Sequence, residues 1–427
     1  MKKSAIFSNS AANAASILWV SLVQIISVPV MVGSWGVNNY GVWMMMTTIP
    51  TYLALSDLGI SAAATSKMTM LYAQQDFVGV GKLFNSVLLL SCFLVAAGVF
   101  LSLFLWGVDL IGIFPSLGLI SDALPIIVLY SFLMIFSRIP LSLLRSTDNY
   151  AESTIIYDAS VFLESMIVVG LAWFGFGFVY CAWSMILSRV SIILIQFYMV
   201  KNKIKFIDIN VGSGSLIELK CIIRPAIGAM IIPGALAINV QGLILLTGSL
   251  VSPAAAAMIG TVRTISRISL QLVGVVNRAS MPEFSKAAAS GDNKYIKNIL
   301  KINFASIIFL LLPGAIIFSF FGDGVVYAWS NGEINPSKPV VIMMAVGMFL
   351  QGVWSFCANI LMSVNKHGRL SLFVLFSSVL FCFGATIFGS VFGVDGIVGA
   401  LVLAEFSVVI FLIKKFICDY DKTKNFQ

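Results

Sequence analysis

Arginine side chains recur inside long apolar stretches of this chain, where a charge is costly. One stretch carries a polar stripe at helical spacing: Arg263, Arg267, Gln271, Gly274 and Arg278. At 100° per residue the stripe covers about an 80° sector of a helix, and a charge at the bilayer centre costs at least ~2.5–3.5 kcal/mol, so it should not face lipid. One interpretation is a cationic, water-filled lumen that attracts phosphate or carboxylate groups, which suit the planar fork of arginine. The alternative is ion pairing with acids on other helices, and the sequence leaves both open.

Two more arginines lie in other apolar stretches. Arg189 is near the middle of its stretch, whereas Arg138 is about six residues, or ~9 Å, from the end of its own and can reach the surface. Arg278 also lies at the end of its stretch, where anchoring at the membrane surface is the simpler explanation. The predicted substrate-binding residues are Arg263, Arg267, Arg189, Gln271, Arg278 and Arg138.

Carboxylates are scarce in the apolar stretches, which contain only Asp57, Asp158, Glu164 and Glu405. Glu164 and Glu405 lie near the middle of their stretches, where loss of solvation favours the protonated acid. Each could carry a coupling proton or neutralise a buried arginine, so we assign them, together with Asp158, as coupling or ion-pair residues. Asp158 is near the end of its stretch and could simply be hydrated.

The sequence lacks the motifs of enzyme chemistry. It contains no Walker A loop, no HExxH, no GxSxG and no acidic loop suited to metal-dependent glycosyl transfer. The six cysteines form no CxxC pair and no Cys/His cluster, so we expect neither a metal site nor a disulfide framework. We therefore predict a secondary-type transporter without a cofactor, rather than an enzyme or an ATP-driven pump.

The elements that must position these residues are membrane helices. Hydrophobic residues make up 59% and charged residues 10% of the 427 residues, against roughly 25% charged in an ordinary soluble domain. The chain must therefore expose apolar surface to lipid. It should be an all-α membrane protein with about 12 transmembrane helices, each long enough for a ~30 Å hydrocarbon core, at 14–34, 41–63, 84–106, 123–144, 154–174, 178–200, 225–247, 254–278, 303–321, 339–362, 371–391 and 396–413.

Basic residues are distributed asymmetrically between the two sides of these spans. Of the 26 Lys and Arg residues, 20 fall on one side and only Lys338 on the other. The positive side is the cytoplasm, which predicts a bacterial inner-membrane protein with both termini inside. The surplus charge is thus a topology signal, and no nucleic-acid partner is expected. A Gly-Ser-Gly-Ser stretch near the midpoint predicts an N-terminal six-helix bundle, a cytoplasmic linker, a C-terminal six-helix bundle and a cytoplasmic tail, at 1–200, 201–224, 225–413 and 414–427.

Two short motifs lie in the second span. The span opens with Tyr40-Gly41-Val42-Trp43 and continues as Leu55-Ser56-Asp57-Leu58-Gly59-Ile60, followed by Ala62-Ala63-Ala64 and Ser66-Lys67. Both motifs are similar to those of bacterial polysaccharide exporters. With its length, span number and internal termini, the whole chain resembles the Wzx-type O-antigen flippases of the multidrug/oligosaccharidyl-lipid/polysaccharide exporter superfamily. Helix-end solvation of Asp57 and close packing at Gly59 are the structural alternative for the motif.

This resemblance implies two six-helix bundles around a central cavity that opens alternately to each leaflet. The implied substrate is an undecaprenyl-pyrophosphate-linked oligosaccharide, with membrane lipids and polysaccharide polymerase machinery as partners and proton or sodium coupling as the energy source. A drug or cation antiporter of the same superfamily is the alternative, although its lumen should favour acids over arginines. A polymerase or ligase of the same pathway would carry a larger periplasmic loop than 107–122 or 322–338.

Overall fold

The structure, a computed structural model, describes residues 3–110, 119–290, 292–363 and 367–424. These ranges are helical almost throughout and contain no strand. A 3₁₀ turn, Val211–Ser213, precedes α6, and a π-helical turn, Ile307–Leu311, joins α9 to α10. The α-helices are α1 (Lys3–Ala73), α2 (Phe77–Leu110), α3 (Leu119–Ser146), α4 (Tyr150–Trp173), α5 (Phe178–Lys203), α6 (Leu216–Leu250), α7 (Pro253–Ser266), α8 (Ile268–Ser290), α9 (Asn293–Ser306), α10 (Leu312–Trp329), α11 (Lys338–Ser363) and α12 (Gly368–Lys424).

Two of these helices are too long for one crossing and are kinked at glycine. Helix α1 has 71 residues and α12 has 57, which at 1.5 Å per residue is roughly 105 and 85 Å. The backbone leaves helical geometry at Gly36 (φ 77°, ψ 161°) and at Gly393 (φ 61°, ψ −136°). Glycine adopts such positive φ values without the steric cost that other residues meet. Both kinks fall between predicted spans, so each long helix supplies two of the predicted crossings.

Hydropathy supports membrane crossing for most of the helices that follow α1. Within the described ranges, eight helical stretches are long and apolar enough to cross a membrane by length and composition. One of them, 368–414, includes the kink at Gly393. The all-α membrane fold predicted from the sequence is confirmed.

The chain divides into two compact units. Unit 1 contains Met1–Gly36 and Met46–Pro233, and unit 2 contains Val37–Met45 and Gly234–Gln427. A short part of α1 after the Gly36 kink therefore belongs to unit 2. The four segments predicted from the sequence stay a prediction.

An apolar cluster from five helices forms the core of unit 1. It joins buried side chains of α1, α2, α3, α5 and α6, among them Met68, Phe84 and Leu143, which have no exposed surface. The corresponding cluster in unit 2 surrounds Trp354 of α11, which is 1% exposed and packs against residues of α6 and α12. The first core joins the helices that carry Arg138 and Arg189, and the second includes α12, which carries Glu405.

The segment between α5 and α6 is docked on α2. Asn85 Nδ2 donates to the Asp208 carbonyl oxygen at 3.0 Å and to Ser213 Oγ at 2.9 Å. The backbone N–H of Ser215 donates to Ser86 Oγ at 2.9 Å. Part of the Gly-Ser-Gly-Ser stretch is therefore attached to unit 1 by hydrogen bonds.

Candidate functional site

Unit 2 brings Arg263 and Arg267 together at one cavity of about 40 Å³. Its walls come from α6, α7, α11 and α12 and include Asn239, Gln351 and Glu405. This volume accommodates roughly three water molecules. The charged residues that line it are two arginines and one glutamate, so the cavity has a net positive charge.

The two arginines of this cavity lack ion-pair partners among the described carboxylates. Arg263 Nη1 lies 3.5 Å from the Val240 carbonyl oxygen, at the outer limit of a hydrogen bond. Arg263 Nε is buried and has no hydrogen-bond partner among the described residues. Because an unsatisfied buried donor is costly, this arrangement favours an anion or water beside the guanidinium groups.

Glu405 is buried, with 3% of its surface exposed, and is bound by two neutral donors. Asn239 Nδ2 donates to Glu405 Oε1 at 3.1 Å, and Trp354 Nε1 donates to Glu405 Oε2. Coulombic attraction also acts between Glu405 and Arg267. The carboxylate is thus oriented by hydrogen bonds and leaves both arginines without a direct salt bridge.

The helix that carries these arginines is interrupted at Arg267. Helix α7 ends at Ser266 and α8 begins at Ile268, with φ −80° and ψ −4° at Arg267. Ser266 Oγ donates to the Arg263 carbonyl oxygen at 2.9 Å, as Ser142 and Ser146 of α3 do to carbonyl oxygens three residues earlier. The single helix predicted for 254–278 therefore divides into α7 and α8 at one residue, although helical hydrogen bonds continue across the junction: Arg267 N–H donates to the Arg263 carbonyl oxygen at 3.1 Å and Gln271 N–H to the Arg267 carbonyl oxygen at 2.9 Å.

The remaining members of the stripe do not join the cavity lining that the structure describes. Gln271 lies half-buried on α8 and is not one of the lining residues. The side chain of Arg278 lies outside the described residues.

In unit 1, Arg189 is enclosed by partners. It is 1% exposed, and its Nη2 lies 2.8 Å from Glu164 Oε1 and 2.9 Å from Tyr130 Oη. Tyr130 Oη in turn donates to Glu164 Oε1. The rings of Tyr130 and Tyr157 lie 5.3 and 5.9 Å from the guanidinium carbon, within cation–π distance. This geometry favours the ion-pair alternative for Arg189 and Glu164.

Arg138 and Asp158 meet at a different place in unit 1. Both line a cavity of about 330 Å³ near the end of α3 and the beginning of α4. Arg145 and Tyr157 are among its other walls. The structure therefore brings Arg138 and Asp158 together.

The glycines of the second-span motifs lie at close helix contacts. A Cβ at Gly59 would overlap the Met230 side chain and the Ala226 carbonyl oxygen, and one at Gly41 would overlap the Pro253 backbone. The side chain of Asp57 lies outside the described residues. Close packing thus accounts for the glycine of each motif.

The site residues predicted from the sequence did not include three neutral side chains that bind the buried charged groups: Tyr130, Trp354 and Asn239. Each is buried, and each hydrogen-bonds a mid-span carboxylate. Their signal in the sequence is a polar atom in the middle of an apolar stretch, since a buried Tyr or Trp usually finds a hydrogen-bond partner.

No family model matches this sequence, and no curated protein shows significant similarity to it. Solved structures do share its fold. One, the inward-facing conformation of a multidrug resistance MATE family transporter of the MOP superfamily, is 17% identical, covers 96% of each chain and has a TM-score of 0.73.

Two other structures agree. The MATE multidrug transporter DinF-BH is 13% identical, covers 98% of this chain and 96% of its own, and has a TM-score of 0.64. A MOP superfamily transporter from Pyrococcus furiosus is 17% identical, covers 95% and 91%, and has a TM-score of 0.55; its binding pocket is described as having reverse polarity that suggests a different function. The chain therefore has the fold of the MATE transporters of the MOP superfamily.

Proposed function

We propose that this chain is a flippase that moves undecaprenyl-pyrophosphate-linked O-antigen, or similar polysaccharide repeat units, from the cytoplasmic to the periplasmic leaflet by alternating access. The observation that carries the proposal is the unit 2 cavity, which Arg263 and Arg267 line with a single carboxylate, Glu405, and without an ion pair to a described residue. A pyrophosphate needs several cationic donors, and arginine binds phosphoryl oxygens through two parallel hydrogen bonds. The second-span motifs, which resemble those of polysaccharide exporters, support the same substrate class.

An ion-coupled drug or small-molecule antiporter of the same superfamily is the second candidate. Two of the structural neighbours are multidrug transporters, which favours it. A cationic drug, however, requires carboxylates that no arginine opposes, and Glu405 lines its cavity together with two arginines. The charge balance therefore favours an anionic substrate.

Coupling and location follow from the same proposal. Both termini would lie in the cytoplasm of a bacterial inner membrane, with membrane lipids and polysaccharide polymerase machinery as partners. A proton or sodium gradient would drive transport without a cofactor, and Glu405 is the candidate coupling residue in unit 2.

Arg267 provides the decisive test. Arg267→Ala should lower surface polysaccharide at least about tenfold at unchanged protein abundance, because a hydrogen bond to a charged group contributes about 1.5–3 kcal/mol. Arg267→Lys should restore part of the activity, since charge returns without the fork. The measurement is surface polysaccharide in cells with matched membrane levels of each variant.

The control is Lys203→Ala, which removes a cation from an exposed ion pair with Glu152 in unit 1. It should leave surface polysaccharide unchanged. Loss of the Arg267→Ala protein from the membrane would make Arg267 a structural residue. Loss of drug resistance with normal polysaccharide would establish the antiporter instead.

A further inference from the structure

The largest cavity described above, about 330 Å³ in unit 1, has an unusual set of hydrogen-bond donors. Its walls combine the donors Arg138, Arg145 and Tyr157 with three hydroxyl residues, Ser61, Thr65 and Ser142, and with one acceptor, the carboxylate of Asp158. This volume is within the range of small-ligand sites, roughly 300–1,000 Å³. Because α3 ends and α4 begins here, the positive-side assignment places the cavity at the cytoplasmic end of unit 1.

Two of the hydroxyl groups that line this cavity already donate hydrogen bonds to backbone carbonyl oxygens. Thr65 Oγ1 donates to the Ser61 carbonyl oxygen and Ser142 Oγ to the Ile139 carbonyl oxygen, both at 2.7 Å. These hydroxyls can therefore only accept a further hydrogen bond. The stronger donors in these walls are the arginines and a phenol.

Arg145 and Tyr157 each have a hydrogen-bond donor available for a ligand in the cavity. Arg145 uses Nε to donate to Thr154 Oγ1 at 3.1 Å, and its two Nη nitrogens have no hydrogen bond to a described residue. Tyr157 Oη accepts from Arg189 Nη1 at 3.4 Å, so its own proton is free to point elsewhere. The Arg189 charge also polarises this phenol and strengthens it as a donor. With two guanidinium groups and such a phenol against one carboxylate, Asp158, the site keeps a net positive charge and suits a phosphate rather than a cation.

A second cavity adjoins the first, because Asp158 lines both. It measures about 230 Å³ and is lined also by Trp19, Gln24 and Phe162. The Trp19 and Phe162 rings lie 6.1 Å apart at 33°. Aromatic faces pack against the C–H face of a sugar ring, while carboxylate and amide groups bind its hydroxyls. This cavity therefore has the chemistry of a saccharide site next to a phosphate site.

We propose that unit 1 contains a loading site for a glycosyl pyrophosphate, with phosphoryl oxygens bound by Arg138, Arg145 and Tyr157 and the first sugar packed on Trp19 and Phe162. The identity of the ligand rests on the flippase proposal above. The site is separate from the Arg263/Arg267 cavity, which lies in unit 2. Substrate would bind here from the cytoplasmic leaflet before it reaches the arginines of unit 2.

Purified full-length protein in phosphatidylcholine nanodiscs tests the phosphate part, with farnesyl pyrophosphate as the probe and farnesol as the blank. Wild-type protein should bind the pyrophosphate, and Arg145→Gln should weaken binding about tenfold or more. Arg138→Lys, which retains the charge, should weaken it less. Lys203→Gln is the matched control on an exposed cation of the same unit and should bind as wild type does.

Four results would overturn the loading site. The first is equal binding of farnesyl pyrophosphate by wild type, Arg145→Gln and Arg138→Lys. If Arg267→Ala still abolished polysaccharide export in that case, the flippase proposal would stand without the loading site. Binding of inorganic pyrophosphate as tight as that of farnesyl pyrophosphate would indicate a free-anion site. Full competition by phosphatidylglycerol nanodiscs would indicate an ordinary phospholipid site. Absence of farnesyl pyrophosphate binding by wild type, with normal export in Arg267→Ala cells, would remove both proposals.

The sugar part has its own readout. The N-acetylglucosaminyl ester of farnesyl pyrophosphate should bind wild type several-fold more tightly than farnesyl pyrophosphate does. Trp19→Leu should abolish this gain while leaving the affinity for farnesyl pyrophosphate unchanged, and Trp19→Phe should preserve most of the gain. An equal loss for both probes in Trp19→Leu would show that Trp19 supports the fold and binds no sugar.

Discussion

The two units place mid-span arginines and acids in contrasting environments. In unit 1, Arg189 and Glu164 form a direct ion pair at 2.8 Å, closed by two tyrosines. In unit 2, Glu405 is bound by the neutral donors Trp354 and Asn239, and Arg263 and Arg267 line the cavity beside it without an ion pair to a described residue. The same residue types therefore form a direct ion pair in one unit and line a charged cavity without an ion pair in the other, although Arg189 Nε and Glu164 Oε2 are also buried without a hydrogen-bond partner among the described residues.

This difference between the units distinguishes charges that are stabilised by pairing from charges that are available to bind a substrate. Two paired and hydrogen-bonded charges can be buried, but a buried pair is weak evidence for a functional site. Arginines that line one cavity without ion-pair partners lower the stability of the fold, and a bound anion would restore that stability. Unit 2 is therefore the stronger candidate for contact with a transported anion, and the Arg189 network is the stronger candidate for holding unit 1 together.

The largest expected effect comes from breaking the unit 1 pair. Arg189→Gln should lower the free energy of unfolding by about 3–5 kcal/mol, because it leaves Glu164 as an unpaired buried charge. The double variant Arg189→Met/Glu164→Leu should recover most of that loss. Arg267→Gln in unit 2 should cost much less, since it removes no ion pair. Denaturant titration of the purified variants in mild detergent provides the measurement.

Equal losses for Arg189→Gln and Arg267→Gln would contradict the contrast between the units. Lys203→Gln serves as the control for charge removal, because its pair with Glu152 is largely exposed. Exposed ion pairs contribute about 0–1 kcal/mol, so this variant should unfold nearly as wild type does.

A smaller effect on stability but a large one on transport is expected for Glu405→Gln. It raises the formal charge of the cavity lining, which contains two arginines and no other acid. An anion bound in this cavity would then be held more tightly and released more slowly, so export should fall. Surface polysaccharide, measured at matched protein levels, checks this result. Normal export in Glu405→Gln cells would remove this carboxylate from the mechanism.

Much of the fold could be predicted from the sequence, but the pairing of charges could not. The apolar stretches are interrupted near Gly36 and Gly393, where the two long helices are kinked. These positions could be predicted because the length and hydropathy of a stretch are local properties of the sequence. Depth and helical face of Arg189 were also local, yet its partner depends on which helices are neighbours. The one-residue interruption at Arg267, where ψ is −4°, is a local backbone departure that helical periodicity does not report.

The smallest expected difference is between two aromatic substitutions that each delete one hydrogen-bonding atom. Tyr130→Phe leaves Glu164 with its direct bond to Arg189, so it should lower the free energy of unfolding by only about 1 kcal/mol. Trp354→Phe leaves Glu405 with Asn239 as its remaining hydrogen-bond donor among the described residues.

Trp354→Phe should therefore cost more, about 1.5–3 kcal/mol, part of which reflects packing lost from a buried indole. The packing part cancels in a double-mutant cycle with Glu405→Gln, which isolates the coupling between indole and carboxylate. We expect a coupling energy of at least about 1 kcal/mol in this cycle.

The corresponding cycle for Tyr130→Phe and Glu164→Gln should be repeated in the Arg189→Met background, where the phenol becomes the main donor to Glu164. A larger coupling there than in the presence of Arg189 would show that the ion pair, rather than the aromatic donor, distinguishes unit 1 from unit 2.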